Sequence, residues 1–318
     1  MSMLASHKLR PLLLMAALAG PAQALAIDFV VLGDMPYGET EEVETRYQAL
    51  IGRINAVRPA FSVHVGDIKS GRTSCADPAL LKQRDNFGRF AHPLVYTPGD
   101  NEWTDCHRVS NGGFSPLERL GRIRELFFEP GRSLGQAATP GISQAASMPG
   151  FGEFVENRRW EAGALLFATV HVVGSNNGLQ SPAPEAEAEF RRRDLADRAW
   201  LEAAFRRAAE MDAVGVVLFM QADPFGSGGA RDGLPEGAGL RGIFAETILP
   251  LARAWGRPVL LVHGDEHRLR SDRPFRLDRE PVSNVFRLGV PGDADMRALH
   301  IRWTGGRETP FLLETVAP

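Results

Sequence analysis

Apolar residues along this chain fall into short unbroken runs, and between the runs they recur every three or four positions. Short apolar runs bounded by turn formers predict buried strands, and the wider spacing predicts amphipathic helices. Residues 27–32, 60–65 and 93–96 are the first three runs. Between the first two, residues 41–57 place Val43, Tyr47, Leu50, Ile51 and Ile54 on one face and predict a helix that Pro59 stops. Residues 79–90 predict a second helix and 117–128 a third, while 130–154 are rich in Gly, Pro, Ser and Ala and predict a long irregular loop. The pattern then resumes. A strand is predicted over 164–173, a helix over 187–211 with Leu195, Ala199, Leu201, Ala204 and Phe205 inward, a strand over 214–220, a helix over 243–255 and a strand over 259–262. Short runs at 284–288, 298–303 and 311–313, divided by Gly, Pro and Asp, predict an antiparallel meander closing the fold. Strands alternating with helices predict a mostly parallel sheet with right-handed crossovers.

The first 26 residues stand apart from this pattern. His7, Lys8 and Arg10 precede an apolar stretch from Leu12 to Ala19, and Ala24-Leu25-Ala26 fits a small-residue cleavage site. This is the form of a secretory signal peptide, with an N-terminal anchor or a buried strand as the alternatives. Residues 27–318 read as a single domain of an exported protein, periplasmic or secreted. No later run is long enough to span a bilayer and no cysteine sits at the cleavage point, so no stable membrane anchor is expected. The whole chain has 36 basic and 39 acidic residues. Lys8 and Arg10 are the only charges in the first 26, so the remainder has 34 and 39 and a net charge of −5. No block of Lys and Arg dominates, so nucleic acid is not indicated as a partner. Arg191-Arg192-Arg193 reads as a solvated helix face, with phosphate binding as the alternative. The two cysteines, Cys75 and Cys106, most simply form one disulfide in an exported chain, the alternative being two buried thiols.

Chemistry enters at the strand ends. Four apolar runs each end in Gly-Asp: Gly33-Asp34, Gly66-Asp67, Gly99-Asp100 and Gly264-Asp265. A fifth, over 214–220, ends in Gln221. One Gly-Asp is an ordinary turn or helix cap. Four at strand ends point to aspartates converging on a cation, because clustered carboxylates repel unless a metal neutralises them.

In order, Gly33-Asp34, Gly66-Asp67, Gly99-Asp100-Asn101-Glu102, Gln221 and Gly264-Asp265-Glu266-His267 resemble the strand-end motifs of the calcineurin-like metallophosphoesterase superfamily, which includes purple acid phosphatases. The resemblance covers essentially all of residues 27–318. It implies an α/β fold, a four-layer α-β-β-α sandwich with two mixed sheets flanked by helices, and a site for one or two divalent metal ions. In such a site the cations hold phosphoryl oxygens and lower the pKa of a bridging water. Carried over by position, Asp67 bridges both metals, Asp34 and His267 complete the first, and Asp100, Gln221 and Asp265 complete the second. The implied activity is hydrolysis of phosphate mono- or diesters on a small phosphorylated substrate.

Several positions depart from the family pattern. Pro36 stands where the first motif has histidine, Asp100 replaces asparagine, and Gln221 and Asp265 each replace histidine. The donor set thereby moves toward oxygen, which favours Mn²⁺, Mg²⁺ or Ca²⁺ over iron and zinc. Asn101 replaces the histidine that acts on the leaving group. Glu102, as an orienter of metal-held water, and His107, as a proton donor brought in by a disulfide at Cys106, are the candidates to compensate; an ordinary surface histidine is the alternative for His107. Tyr37 and Trp103 are candidates to line the pocket, and His263 is read as a strand-end residue below the site, or as a ligand in a shifted register. His64 and His171 are read as core histidines. The rival to catalysis is a degenerate member of the fold that binds a phosphorylated or anionic ligand without turnover, and a third reading is a metal-dependent hydrolase of another ester class.

Overall fold

The computed structural model describes residues 27–318 apart from 140, 227–230 and 307. The expected signal peptide and part of the Gly-rich loop over 226–239 lie outside the described residues. Two helices begin at side-chain caps: Thr40 accepts the Val43 N–H at 3.3 Å to open the helix Glu41–Val57, and Ser115 caps Pro116–Phe127 in the same way. The other main helices are Asp77–Phe87, Ala186–Glu210 and a helical stretch from Ala238 to Trp255.

The strands form two large sheets. The first contains β1 (Asp28–Leu32), β2 (Ser62–His64) and β3 (Leu94–Tyr96), all parallel. The second contains β4 (Ile142–Ser143), β5 (Arg158–Ala162), β6 (Leu165–Thr169), β7 (Gly215–Phe219), β8 (Val259–His263) and β9 (Arg270–Asp272). A small hairpin pairs β10 (Arg276–Leu277) with β11 (Glu280–Pro281). The last three strands are β12 (Val285–Gly289), β13 (Ala298–Trp303) and β14 (Phe311–Val316). Spatial order is β14-β13-β1-β2-β3 in one sheet and β4-β5-β6-β7-β8-β12-β9 in the other.

Strand side chains alternate between faces, and the packing follows that period. Phe29 and Val31 point between the sheets, where they meet Phe167, Val217, Phe219 and Leu260. Val30 and Leu32 point the other way, against Tyr47, Leu50 and Ile54 of the first helix. On the far sheet Leu166, Ala168 and Leu218 turn outward onto Trp200, Leu201 and Ile243. The result is the expected four-layer α-β-β-α sandwich.

Three expectations need correction. The C-terminal runs are not a meander. β12 pairs in parallel with β8 inside the second sheet, and β13 pairs antiparallel with β1 and β14 in the first. Gly and Pro turns suit hairpins, but β12 is nearly all buried, the mark of an interior strand rather than a half-exposed one. Leu195 is not inward: it is 56% exposed. The buried stripe of that helix runs through Arg193, Ala196, Asp197, Trp200, Leu201 and Ala204. Arg193 is therefore not on a solvated face, although Arg191 and Arg192 are exposed and paired with Glu187 and Glu153.

β1, β2, β3, β7 and β8 all end at one rim, with neighbouring ends tied within each sheet. The Asp34 N–H reaches the Gly66 carbonyl at 3.0 Å, and the Gly264 N–H reaches the Gln221 carbonyl at 2.9 Å.

Candidate metal centre

Each loop leaving this rim has little room, and glycine is what makes it fit. A side-chain carbon on Gly99 would lie 2.1 Å from Asp67 Oδ1, and one on Gly264 would lie 2.4 Å from Asp34 Oδ2. The glycine of one motif thus vacates the space that the aspartate of another occupies. Three of the aspartates and His267 also take conformations that most residues avoid. Asp34, Asp67, Asp265 and His267 have φ of 54, 56, 80 and 54°. Aspartate tolerates the left-handed region better than most residues.

The loops bring the carboxylates into two overlapping groups. Asp34, Asp67 and His267 offer ligand atoms within 4.8 Å of one another, and so do Asp67, Asp100 and Asp265. Asp67 belongs to both. Asp34 Oδ1 accepts the Asp265 N–H at 2.9 Å and lies 3.8 Å from His267 Nε2, while Asp34 Oδ2 is buried with no hydrogen-bond partner among the described residues. Burial first, and then the repulsion of their acidic neighbours, pushes the carboxyls of Asp34, Asp67 and Asp265 well above the usual range. An oxygen-rich pocket of this kind, with an unsatisfied carboxylate oxygen at its floor, fits hard divalent cations. Burial likewise depresses the pKa of His267 and so favours the neutral imidazole that a metal needs.

Solved structures of the same shape exist. The chain superposes on a dimetal phosphatase from Danio rerio over 92% of its own length and 98% of that chain, with a TM-score of 0.54 at 10% identity. It superposes on a purple acid phosphatase from yellow lupin seeds with a TM-score of 0.50 at 13% identity, over 93% of its own length and 52% of that chain. The chain has the calcineurin-like metallophosphoesterase fold. No protein-family model matches the sequence, and neither does any curated protein.

Within that fold the remaining site residues fall into distinct places. Asn101 donates from Nδ2 to Asp67 Oδ2 at 2.7 Å and to the Tyr37 hydroxyl at 2.8 Å. Glu102 is fully buried beneath the loop: its Oε1 accepts the Gly99 N–H and the Tyr96 hydroxyl at 2.7 Å each, and the Asp67 N–H at 3.1 Å. It knots the second and third loops together instead of facing outward. His107 is half-buried, and its Nδ1 meets the Thr104 carbonyl at 2.7 Å. It belongs to neither group of ligands. Gln221 Oε1 accepts the Gly174 N–H at 2.5 Å and its Nε2 reaches Asp265 Oδ1 at 3.3 Å. His64, His171 and His263 are buried, the first against the Met35 carbonyl, the second against Glu156 and the third against the Gly264 carbonyl.

Tyr37, the expected pocket-lining candidate, and three further residues join the candidate metal centre. Tyr37 donates its hydroxyl to Asp67 Oδ2 at 2.9 Å and sets its ring edge-on to His267 at 5.1 Å. Lys69 is buried, its ammonium donating to the carbonyls of Asn101 at 2.6 Å and Ser70 at 2.9 Å. Burial depresses its pKa, against the pull of Glu102 and Asp67. Asp105 sits close enough to Asp100 that burial and that neighbour raise its pKa to about 7. Ser175 donates to Asp100 Oδ2 at 2.6 Å. Lys69 lies two residues after Asp67, a spacing that signals the site. Ser175 carries no such signal, since the strand before it ends in neither Asp nor His.

Proposed function

We propose that this protein is an exported metal-dependent phosphoesterase that hydrolyses phosphate mono- or diesters on a small phosphorylated substrate. The observation that carries the reading is Asp67, which among the described residues is the carboxylate shared by two groups of ligand atoms at the strand ends of a metallophosphoesterase fold. Asp34, Asp67 and His267 would hold one divalent cation, and Asp67, Asp100 and Asp265 a second. The donors favour Mn²⁺, Mg²⁺ or Ca²⁺. Bound there, such cations polarise phosphoryl oxygens and lower the pKa of a coordinated water. The chain's own part is orientation. Asn101 and Tyr37 hold Asp67 Oδ2 from one side, Glu102 fixes the backbone that presents Asp67 and Asp100, and Lys69 offsets part of the negative charge.

The amide of Asn101 donates hydrogen bonds but has no proton to give a leaving group. Its engagement with Asp67 and Tyr37, and that of His107 with Thr104, favours one second reading: a fold that binds its phosphorylated or anionic ligand without turnover.

The deciding experiment is hydrolysis of a chromogenic phosphomonoester and phosphodiester by metal-stripped protein, then with Mg²⁺, Mn²⁺, Ca²⁺, Fe²⁺ and Zn²⁺ in turn. Metal-dependent activity is expected, strongest with the harder ions, and Asp67→Ala should lose both turnover and metal binding. Wild-type rates in that variant would refute the shared role of Asp67. Metal binding with no turnover under any ion would leave the binder, and Asn101→His should then still show no rate, whereas in a slow phosphoesterase it should raise it.

A further inference from the structure

Beside the acidic cluster the backbone makes a turn that its sequence does not favour. Ser175, Asn176 and Asn177 have φ of 51, 55 and 57°. Asparagine tolerates the left-handed region singly, but three consecutive non-glycine residues there, one of them serine, are strained. Such strain persists where the surroundings over-determine it.

The surroundings here centre on one guanidinium. Arg193 is fully buried and donates to the carbonyls of His171 at 2.8 Å and Asn177 at 3.0 Å, and to Asn177 Oδ1. Its charge is matched by Glu189 at 2.7 and 3.0 Å, and it lies over the Trp103 ring at 5.4 Å. Asn177 Oδ1 also accepts the Val173 N–H at 3.2 Å. On its far side the turn meets Gly239, whose N–H reaches Asn176 Oδ1 at 2.9 Å and whose carbonyl receives Asn177 Nδ2 at 3.1 Å. The Arg193 guanidinium therefore grips the turn at its last residue and at the segment that leads into it.

The turn delivers two donors to the carboxylates. Ser175 Oγ holds Asp100 Oδ2 at 2.6 Å. The Gly174 N–H holds Gln221 Oε1 at 2.5 Å. A backbone N–H only donates, so the Gln221 oxygen must face it, and the Gln221 amide nitrogen is left to face Asp265 Oδ1 at 3.3 Å. Space allows nothing larger than hydrogen at residue 174: a side-chain carbon there would lie 2.8 Å from Asp265 Oδ1 and 2.9 Å from Asp100 Oδ2.

We propose that Arg193 is a positioning residue for the cation position formed by Asp67, Asp100 and Asp265. It acts through the left-handed turn, setting Ser175 to orient Asp100 and Gly174 to orient Gln221, which in turn orients Asp265. On this assignment Gln221 is an orienting amide and not a ligand. The proposal rests on the metal-binding reading above, extends it to residues that touch no cation, and applies to one of the two positions only.

The test is a Mn²⁺ titration of the full chain, followed by calorimetry and by the spin-resonance signal of free Mn²⁺, with thermal melting of each metal-free variant. Ser175→Ala removes the hydroxyl, and Ser175→Gly removes it while relieving the strained backbone. Partners that orient metal ligands typically contribute about 10–100-fold in metal affinity. Both variants should therefore weaken one of two Mn²⁺ sites by about tenfold or more and leave the other unchanged, with Ser175→Gly melting no lower than wild type. Arg193→Lys keeps the charge but loses the planar fork, and should produce the same one-site loss. Two unaltered Mn²⁺ sites in both Ser175 variants would overturn the proposal while leaving the metal centre intact. A wild-type chain that binds no divalent cation would overturn the metal centre itself, and the proposal with it.

Discussion

For a single residue at this centre, space decides more than charge. Gly99 shows this most directly. Its missing side chain is what lets Asp67 approach, with Asp67 Oδ1 2.1 Å and the Asp67 nitrogen 2.5 Å from where a side-chain carbon would sit. Backbone cannot yield as a flexible side chain does, so Gly99→Ala must move the Asp67 loop. Overpacking of this sort costs about 1–3 kcal/mol, and here it displaces the carboxylate common to both groups. The expected outcome is a loss of Mn²⁺ affinity larger than the loss of stability alone would give, read by titration beside urea unfolding. Gly52 is the control. It lies exposed in the middle of the first helix with nothing within 4 Å of an added carbon. Gly52→Ala should raise stability by about 0.5–1 kcal/mol, because alanine loses less backbone freedom in a helix, and it should leave metal binding unchanged.

For whole elements, local signals were legible and pairings were not. The helix Glu41–Val57 was readable to both ends because its apolar spacing and Pro59 agree. The Gly-Asp strand ends were readable because each is a short-range pattern. What a strand pairs with is not a short-range property, and so β12 and β13 looked like neighbours although they sit in different sheets. Arg193 was hidden for a related reason. Three consecutive arginines are equally polar, and only the buried stripe through Ala196, Asp197 and Trp200 shows which one turns inward. Ser175 reaches the carboxylates through a loop conformation that no periodicity encodes, whereas Tyr37 was legible from its place in the loop after Asp34. The disulfide expected between Cys75 and Cys106 does form, across a separation of 31 residues, and both sulfurs are buried. It joins the loop after β2 to the loop after β3, the two that present Asp67 and Asp100. By the chain-entropy model a closed loop of this length contributes about 3–4 kcal/mol. Replacing both cysteines by alanine should lower the unfolding free energy by about that amount in urea, and should weaken metal binding as the two loops lose their tie. Unchanged stability in that double variant would mean that the contacts of Glu102 and Asn101 alone hold the loops together.

Taken whole, the molecule carries a concentration of buried acid that makes its stability depend on pH in an unusual direction. Burial, and then repulsion among neighbours, raises the carboxyls of Asp34, Asp67 and Asp265, and Asp105 is raised to about 7 by burial and by Asp100. A carboxyl whose pKa is raised in the folded state binds its proton more tightly there than in the unfolded chain. Below the ordinary aspartate value of about 3.9, both states are protonated and the group costs nothing. As pH rises past that value the unfolded chain ionises freely while the folded protein resists, so stability falls. For Asp105 the fall extends to about pH 7. Glu156 works the other way: burial opposes its ionisation, but Arg124 and His171 outweigh burial and hold its carboxyl below the usual range, so its contribution is present above the unfolded value and is lost in acid. The metal-free protein should therefore be most stable in mild acid, near pH 5, and should melt at a lower temperature at pH 7.5. A divalent cation reverses this. Its ligands must be deprotonated to bind, so affinity rises with pH, and a ligand at about a hundredfold its dissociation constant adds about 2.7 kcal/mol. Melting curves in chelator and in Mn²⁺ at pH 5 and 7.5 check both halves of the argument. The expected result is a gain from Mn²⁺ that is small at pH 5 and large at pH 7.5. A metal-free melting temperature that climbs from pH 5 to 7.5 would show that these carboxylates do not repel one another in the folded protein, and would remove the electrostatic reason for a cation at this rim.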